Sequence, residues 1–200
     1  VDMLLNRVAQ VDLSQTMIVT GASGGVGRIL CQWASMSGIK VIGLVGDLKK
    51  VGDNKNYGCR QLFEYQDHAL VQKIMELTDN KGVDYIFDSV GSELFYKILD
   101  TVKFCGHVIN YGQSSGPIKP FEVSILAKKS LSLSRPILFH FIDKREKYES
   151  MATNAFTMFE DKALRYPGFE SYPLENASQA HEMLESRSGG GSVYLVPSNS

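Results

Sequence analysis

The sequence predicts an α/β fold, in which helices cover both faces of a parallel β-sheet to give three layers, α/β/α. Short apolar runs rich in β-branched residues alternate five times with stretches whose apolar residues recur at helical spacing. Such alternation indicates βαβ units, whose right-handed crossovers leave the strands parallel and place helices on both faces. At 200 residues, the chain can form one well-buried domain, or one domain plus a fragment.

The predicted elements follow one another in a regular order. The strands of the sheet are residues 16–19, 40–45, 61–63, 83–88 and 105–111. The helices between them run to about Ser37, where Gly38 suits the position beyond a helix end, and over 67–78 and 93–102. The other predicted elements are the end of a helix over 1–10, a short helix over 121–128, an added strand over 131–133, a helix over 144–162, a helix beginning at 172–177 and a last strand over 193–196.

A glycine-rich loop lies where the first strand turns into the first helix. It reads Thr20-Gly21-Ala22-Ser23-Gly24-Gly25-Val26-Gly27. Glycine allows a tight turn and lets a pyrophosphate approach bare backbone, and the helix N-terminus offers unpaired N–H groups to phosphate oxygens. The loop therefore indicates nucleotide binding, although its spacing departs from the strict Gly-x-Gly-x-x-Gly pattern. A plain turn with a helix cap is the alternative.

Further candidate segments follow the other predicted strands. In a doubly wound sheet, ligands bind at the carboxyl ends of the strands, near the point where the strand order reverses. The segments at this edge are residues 46–50, Tyr65, 88–91 and 111–116. The last two are small, polar and glycine-rich, which suits backbone contact with a ligand. Ordinary turns are the alternative interpretation of both.

Composition and charge exclude several classes of partner. The net charge is −1 with no long basic or acidic block, so we expect no nucleic-acid partner. The apolar runs are too short to span a bilayer and no signal peptide is visible, so we expect no membrane contact and a cytoplasmic location. Cys31, Cys59 and Cys105 have no metal-binding spacing, which favours ordinary thiols in a reducing compartment and no metal site.

A set of motifs spans nearly the whole chain in one order. They are Ala22-Ser23-Gly24-Gly25-Val26-Gly27, Cys31-Gln32-Trp33-Ala34, Gly82-Val83-Asp84, Asp88-Ser89-Val90-Gly91, Tyr111-Gly112-Gln113-Ser114-Ser115-Gly116, Ser134-Arg135-Pro136, and residues 180–187 followed by Gly191-Ser192. Together they resemble the quinone oxidoreductase family, which includes zeta-crystallin and belongs to the zinc-independent medium-chain dehydrogenase/reductases. The resemblance implies that the doubly wound sheet is of the Rossmann type.

The resemblance also implies how the chain is divided. Residues 1–165 match the dinucleotide-binding Rossmann domain, and residues 166–200 match a C-terminal tail that packs on a further domain. That further domain is the family's N-terminal GroES-like catalytic domain, which has no counterpart in this sequence. The start at Val1, inside an apolar stretch, suggests that N-terminal residues have been removed.

The resemblance assigns cofactor-binding roles residue by residue. The matching positions are Gly24, Gly25, Val26 and Gly27 for the pyrophosphate, Gly46 and Lys50 beside the adenosine ribose, Lys50 and Tyr65 for the 2′-phosphate of NADP, Ser89 on the adenine side, Tyr111, Gly112, Gln113 and Ser114 under the nicotinamide, and Arg187. No catalytic side chain and no metal ligand is assigned, because the nicotinamide itself carries the hydride. For Lys50 and Arg187, an ordinary exposed charge is the alternative.

Asp47 leaves the choice between NADP and NAD open. It lies twenty residues after Gly27, close to where NAD enzymes carry an acidic residue that binds the ribose 2′-hydroxyl. A carboxylate there repels a 2′-phosphate, whereas Lys49 and Lys50 attract it. The two lysines and Tyr65 favour NADPH, and Asp47 keeps NAD as the alternative.

The implied function is that of an enzyme, an NADPH-dependent oxidoreductase that transfers hydride to a quinone or an α,β-unsaturated carbonyl. It is present here as its cofactor-binding fragment, which we expect to be inactive or nearly so alone, because half of the substrate cleft is missing. The alternatives are an enoyl reductase domain of a fatty-acid or polyketide synthase and, from another class, a dinucleotide-binding, crystallin-like or RNA-binding module without turnover.

An edge strand over residues 129–134 predicts how two copies assemble. The segment alternates apolar and polar residues and contains no proline. An unpaired strand of this kind is a template for a second copy, and two-fold pairing buries it on both chains at once. In the family that the sequence resembles, dimers form by pairing edge strands of the cofactor domains, so the resemblance implies a homodimer, with a solvated edge strand as the alternative.

Overall fold

The computed structural model describes residues 1–51, 56–161, 163–165, 169–186 and 192–197, with every side chain in these ranges except those of Lys50, Glu93 and Phe169. Six strands form the main sheet. They are β1 (Thr16–Thr20), β2 (Lys40–Val45), β3 (Gln61–Glu64), β4 (Val83–Asp88), β5 (Val102–Asn110) and β6 (Ser132–Ser134). All neighbouring pairs are parallel, and the spatial order is β3-β2-β1-β4-β5-β6.

This strand order confirms the predicted doubly wound sheet. The chain moves outward from β1 to β3 and then crosses back to place β4 on the other side of β1. The central strand is paired on both sides, with Ile18 opposite Ile42 on β2 and Ile86 on β4. The strand order reverses between β1 and β4, and doubly wound folds bind ligands outside the carboxyl ends of the strands at such a point.

Helices occupy both faces of the sheet. They are α1 (Gly25–Met36), α2 (Leu70–Leu77), α3 (Ser92–Leu99), α4 (Ser124–Ala127), α5 (Leu138–Phe141) and α6 (Arg145–Glu160), together with a π-helical segment, Met3–Ala9, and a 3₁₀ turn, Lys49–Val51. No helix among the described residues has both the length and the apolar character needed to cross a membrane.

Alternating side chains of β1 divide the core into two clusters. Met17 and Val19 belong to one cluster, whereas Ile18 belongs to the other, because successive residues of a strand point to opposite faces. The first cluster contains side chains of α1, α6 and the π-helical segment, and the second contains side chains of α2 and α3. These two layers of helices confirm the predicted three-layer arrangement.

Helix α3 is shorter than predicted because the chain joins β5 early. The predicted helix over 93–102 ends at Leu99, and Val102 is already the first residue of β5. The N–H of Val83 donates to the carbonyl oxygen of Thr101 at 2.8 Å. Because the chain pairs with β4 at this point, the helix ends before the helical spacing of apolar residues ends in the sequence.

A second, two-stranded sheet lies near the C-terminal end. Strands β7 (Phe169–Pro173) and β8 (Ser192–Val196) are parallel, and α7 (Ala177–Ser186) lies between them in the chain. The prediction of a helix beginning at residues 172–177 was wrong at its start, because Tyr172 and Pro173 pair with β8. A 3₁₀ turn, Leu174–Asn176, separates this strand from α7. The division of the chain at residue 165 stays a prediction.

Candidate functional site

The glycine loop closes tightly on itself before α1 begins. Gly21 has a φ of +66°, a left-handed conformation that suits glycine, and its carbonyl oxygen accepts the N–H of Gly24 at 2.8 Å. Helix α1 begins at Gly25 without a side-chain cap. The first N–H groups of a helix have no intrahelical partner, so those of the exposed residues Gly25 and Val26 are available to a ligand.

Two glycines of the loop, Gly27 and Gly25, are needed for different reasons. A Cβ atom on Gly27 would lie 2.1 Å from the carbonyl oxygen of Gly21, so only glycine lets the helix pack against the turn. Gly25 is exposed to solvent, as are Gly24 and Val26. The sequence-predicted pyrophosphate loop therefore has a closed inner side, held by Gly27, and an open outer side.

Tyr65 supports the glycine loop from the end of β3. Its hydroxyl oxygen accepts a hydrogen bond from the N–H of Gly21 at 2.6 Å. The Tyr65 ring also lies near Gly46, at the end of β2, where an added Cβ atom would meet ring carbon Cε2 at 3.8 Å. The structure thus places Tyr65 against the glycine loop, and its contact with a 2′-phosphate stays a prediction.

Ser89 packs between two glycines beneath the same loop. Its N–H donates to the Thr20 hydroxyl at 2.8 Å, and its own hydroxyl donates to the carbonyl oxygen of Thr20 at 3.0 Å. An added Cβ atom would lie 2.6 Å from Ser89 Oγ if placed on Gly21, and 2.8 Å from the Ser89 carbonyl oxygen if placed on Gly112. Ser89 therefore fixes the spacing of the loops that follow β1, β4 and β5.

The loops after β4 and β5 are joined by backbone hydrogen bonds. Tyr111 N–H donates to the Asp88 carbonyl oxygen at 2.8 Å, and Ser114 N–H donates to that of Ser89 at 3.0 Å. Gly91 has a φ of +71°, and a Cβ atom there would lie 2.7 Å from the carbonyl oxygen of Gly116. The segment 111–114, predicted to lie under the nicotinamide, is thus held against the loop that carries Ser89, with Gln113 and Ser114 exposed at its tip.

The Tyr111 hydroxyl is buried under these loops. Burial raises the pKa of Tyr111 well above its ordinary value, a contact with Ser89 opposes the rise, and nearby Cys31, Asp88 and Tyr65 add to it. Tyr111 therefore stays protonated over the range in which proteins are stable.

Two carboxylates hold the loop after β2. Asp47 Oδ1 accepts the N–H of Lys49 at 2.8 Å, and Glu64 Oε1 accepts the N–H of Leu48 at 2.8 Å. Asp47 is thus engaged within its own turn, a common use of aspartate in loops. The side chain of Lys50 and all of Arg187 lie outside the described residues, so their predicted roles stay predictions.

Sequence reasoning missed Asn110 and the part that the side chains of Thr20 and Asp88 play in organising the site. The structure adds Thr20, the Asp88 side chain and Asn110, which are joined at the carboxyl ends of β1, β4 and β5 by buried hydrogen bonds. Each is the polar last residue of its strand, a position that does not by itself tell which strands become neighbours. Among the described residues, no group of three or more His, Cys, Asp or Glu side chains is placed to hold a metal ion.

The strand order and the glycine loop at its reversal define the class of this protein as a Rossmann-type domain. Residues 25–156 match the family described as zinc-binding dehydrogenase, and the chain belongs to that family.

Curated relatives show where in the family the chain falls. It is 34% identical to Quinone oxidoreductase 1 of Escherichia coli over 197 residues, which are 97% of this chain and 60% of that protein. It is 29% identical to 2-haloacrylate reductase of a Burkholderia species over 196 residues, 97% of this chain and 59% of that protein. These matches confirm the resemblance to quinone oxidoreductases, and the chain spans about three fifths of the length of these relatives.

Solved structures of full-length relatives superpose closely on the chain. The Escherichia coli quinone oxidoreductase complexed with NADPH matches with a TM-score of 0.90 and 33% identity, over 98% of this chain and 61% of that one. The Pseudomonas syringae quinone oxidoreductase also matches with a TM-score of 0.90, at 32% identity, over 98% of this chain and 61% of that one. The fold of the whole described chain is therefore that of these proteins.

Proposed function

We propose that the carboxyl edge of the main sheet binds NADPH, with the pyrophosphate at the N-terminus of α1. The observation that carries this proposal is the uncapped first turn of α1, whose N–H groups open to solvent at Gly25 and Val26. The partial positive charge of a helix N-terminus adds to these donors, and exposed glycine leaves room for phosphate oxygens. The NADPH complex of the Escherichia coli relative supports the choice of cofactor.

The proposed reaction is hydride transfer to an alkene conjugated with a carbonyl group. Quinones and 2-haloacrylates, the compounds named for two relatives, share this C=C–C=O unit. Bound NADPH supplies the hydride, while the protein binds and orients it and excludes water. In this chain, the loop Tyr111–Ser114 would lie under the nicotinamide, fixed by its backbone bonds to the loop after β4.

A preference for NADPH over NADH is proposed from the loop after β2. Lys50 lies in the 3₁₀ turn directly after this loop, where an ammonium group can neutralise a 2′-phosphate. The Asp47 carboxylate opposes this by repulsion, but it is bonded to the N–H of Lys49. We therefore expect the preference to be modest, with NADH as a weaker ligand.

Calorimetric titration of the Gly25→Val variant with NADPH tests the proposal. A branched side chain on Gly25 would occupy the open outer side of the loop, so we expect binding to be lost. The matched control is Met36→Val, which places the same side chain on the same helix at its exposed far end. Equal NADPH affinity in wild type and Gly25→Val would remove the loop from the site.

Turnover by this chain alone is proposed to be weak. The chain spans about three fifths of the length of its relatives, and we propose that the remaining two fifths supply part of the substrate cleft. Hydride transfer depends on a held geometry between donor and acceptor. An NADPH oxidation assay with a simple quinone measures this, and a rate equal to that of the Escherichia coli relative would contradict it.

The proposed assembly is a homodimer through the edge formed by residues 129–134. Strand β6 is the last strand of the main sheet and pairs with β5 on its inner side. An edge of this kind offers backbone groups to a second copy. Light scattering over a series of concentrations tests the proposal, and a monomer throughout would contradict it. Packing of the tail on a further domain and a cytoplasmic location stay predictions.

A further inference from the structure

The carboxylate of Asp88 lies at the centre of the carboxyl edge, and it is completely buried. Its Oδ1 accepts the hydroxyl of Thr20 on β1 at 2.8 Å, and its Oδ2 accepts the side-chain amide of Asn110 on β5 at 2.7 Å. It also accepts the N–H groups of Val90, at 3.0 Å, and Gly91, at 3.2 Å. Because every one of these partners is a donor, the cost of burying the carboxylate is compensated.

Each side-chain partner of Asp88 adjoins a different loop of the candidate site. Thr20 directly precedes Gly21, and its hydroxyl oxygen also accepts the N–H of Ser89 at 2.8 Å. Asn110 directly precedes Tyr111, and its amide nitrogen also donates to the carbonyl oxygen of Gly112 at 2.9 Å. The hydrogen bonds of one carboxylate therefore connect the glycine loop, the loop after β4 and the loop after β5.

This network lies where the backbone pairing of the sheet stops. The register between β1 and β4 ends at the pair of Val19 and Phe87, one residue before Thr20 and Asp88. The register between β4 and β5 ends at Asp88 and Asn110 themselves. The backbone ladders thus reach as far as the network, and the network joins the loops that lie beyond them.

We propose that Asp88, Thr20 and Asn110 are positioning residues, which hold the three loops in the spacing that a whole dinucleotide requires. All three side chains are buried, and they act through Gly21, Ser89 and Gly112. This inference rests on the proposed binding of NADPH. It adds that the affinity for NADPH depends on a buried polar network. The glycine-loop motif does not reveal this network.

The first test measures NADPH dissociation constants for Thr20→Val, Thr20→Ser and a matched control. Thr20→Val keeps the shape of the side chain and removes the hydroxyl, so we expect affinity to fall about tenfold. Thr20→Ser keeps the hydroxyl and should bind as wild type does. The control is Thr101→Val, because Thr101 is equally buried and donates its hydroxyl to Ile98 at the opposite edge of the sheet. We expect its NADPH affinity to be unchanged although its thermal stability falls.

The second test uses a shorter ligand to separate the effect on the loop after β5 from the effect on the rest of the site. Asn110→Leu should weaken NADPH binding and leave unchanged the binding of adenosine 2′,5′-bisphosphate, which lacks the nicotinamide half that lies over residues 111–114. A merely structural role for Asn110 predicts that both ligands weaken together, and this result would overturn the inference. So would unchanged NADPH affinity in Thr20→Val. If the wild type binds neither ligand, the proposed function itself fails.

Discussion

The two ends of β4 each carry an aspartate, and the two are used in different ways. At its start, Asp84 forms an ion pair with Lys103 and accepts the N–H of Thr16, the first residue of β1, at 2.9 Å. At its end, Asp88 accepts the hydroxyl of Thr20, the last residue of β1, at 2.8 Å. Both aspartates hydrogen-bond to β1. Asp84 does so beside a cation at the surface, whereas Asp88 bonds to neutral donors in the interior.

The surroundings of the two aspartates also differ in charge. A cavity of about 240 Å³ at the amino edge is lined by the cationic residues Lys40, Arg60, Lys81 and Lys103, as well as by Asp84. Helices that follow the strands end at this edge, and cations near helix C-termini are stabilising. At the carboxyl edge, where helices begin, the side chains around Gly21 are the uncharged Tyr65 and Ser89. The cationic residues of the amino edge thus line an open cavity, whereas the side chains that surround Gly21 at the carboxyl edge are uncharged.

The largest effect is expected from Gly27→Ala at the carboxyl edge. The new Cβ atom would lie 2.1 Å from the backbone oxygen of Gly21, so the turn must shift. We expect the free energy of unfolding to fall by about 1–3 kcal/mol and NADPH binding to become undetectable. Denaturant unfolding and calorimetry measure the two quantities.

A matched control for this stability change is Gly46→Ala, because its Cβ atom would meet only the Tyr65 ring at 3.8 Å, an ordinary contact. We expect its free energy of unfolding to stay within about 0.5 kcal/mol of wild type. If Gly27→Ala unfolds at the same denaturant concentration as Gly46→Ala, the tight inner side of the loop is not needed.

The next effect concerns the choice between NADPH and NADH. A charge-assisted contact with the 2′-phosphate contributes about 1.5–3 kcal/mol, so Lys50→Ala should weaken NADPH binding roughly tenfold to a hundredfold and leave NADH binding nearly unchanged. Asp47→Ser should widen the preference for NADPH by removing a repulsive carboxylate. Lys40→Ala is the control at the amino edge, with the same loss of charge.

Dissociation constants of both cofactors for these variants check the prediction. If Lys50→Ala weakens NADPH and NADH equally, Lys50 does not contact the phosphate, and Asp47 becomes the better guide to an NAD enzyme. If Lys40→Ala has the same effect as Lys50→Ala, the general charge of the chain is responsible.

A smaller effect is expected from Lys103→Met at the amino edge. The ion pair with Asp84 is partly exposed, with 44% of the Lys103 side chain accessible, so its loss should cost less than about 1 kcal/mol. NADPH affinity should not change, because this pair is at the far end of β4 from the glycine loop. A weaker NADPH affinity in Lys103→Met, measured by calorimetry, would mean that the two edges are coupled.

The smallest effect is expected from Tyr111→Phe during alkaline titration. Burial raises the pKa of Tyr111 above the ordinary value of 10.0, so the folded chain holds this proton while an exposed tyrosine has lost it. The free energy of unfolding is thus lowered only as the pH rises above the pKa of Tyr111 in the unfolded chain. We expect wild type and Tyr111→Phe to show equal tyrosinate absorbance as long as the chain is folded. A smaller signal in the variant near pH 10 would place Tyr111 in solvent.

Most of the main sheet could be predicted from local patterns. The runs around β1, β2 and β4 are apolar on both faces, as buried parallel strands require, and their bounds agree with the structure within a residue. The pattern failed where pairing with a distant strand decided the outcome. Tyr172 and Pro173 look like a helix start, yet they join β7 because β8 offers a partner.

The candidate site could be predicted only where glycine or the family resemblance marked it. The positions of Gly24, Gly25 and Gly27 follow from strand, loop and helix in that order. The roles of Asp88 and Asn110 could not be derived, because hydrogen bonds between residues 22 positions apart depend on which strands become neighbours. The contact of Tyr65 with Gly21 N–H spans 44 positions and has the same cause.

Amide hydrogen exchange with and without NADPH tests whether the cofactor binds at the carboxyl edge, because it reports on both edges of the sheet at once. We expect slower exchange on NADPH addition in the glycine loop at Gly24 to Gly27 and in the loops 88–91 and 111–116. We expect no change around the amino-edge cavity that includes Lys40 and Arg60. Protection at the amino edge, or no protection in the glycine loop under saturating NADPH, would contradict the account.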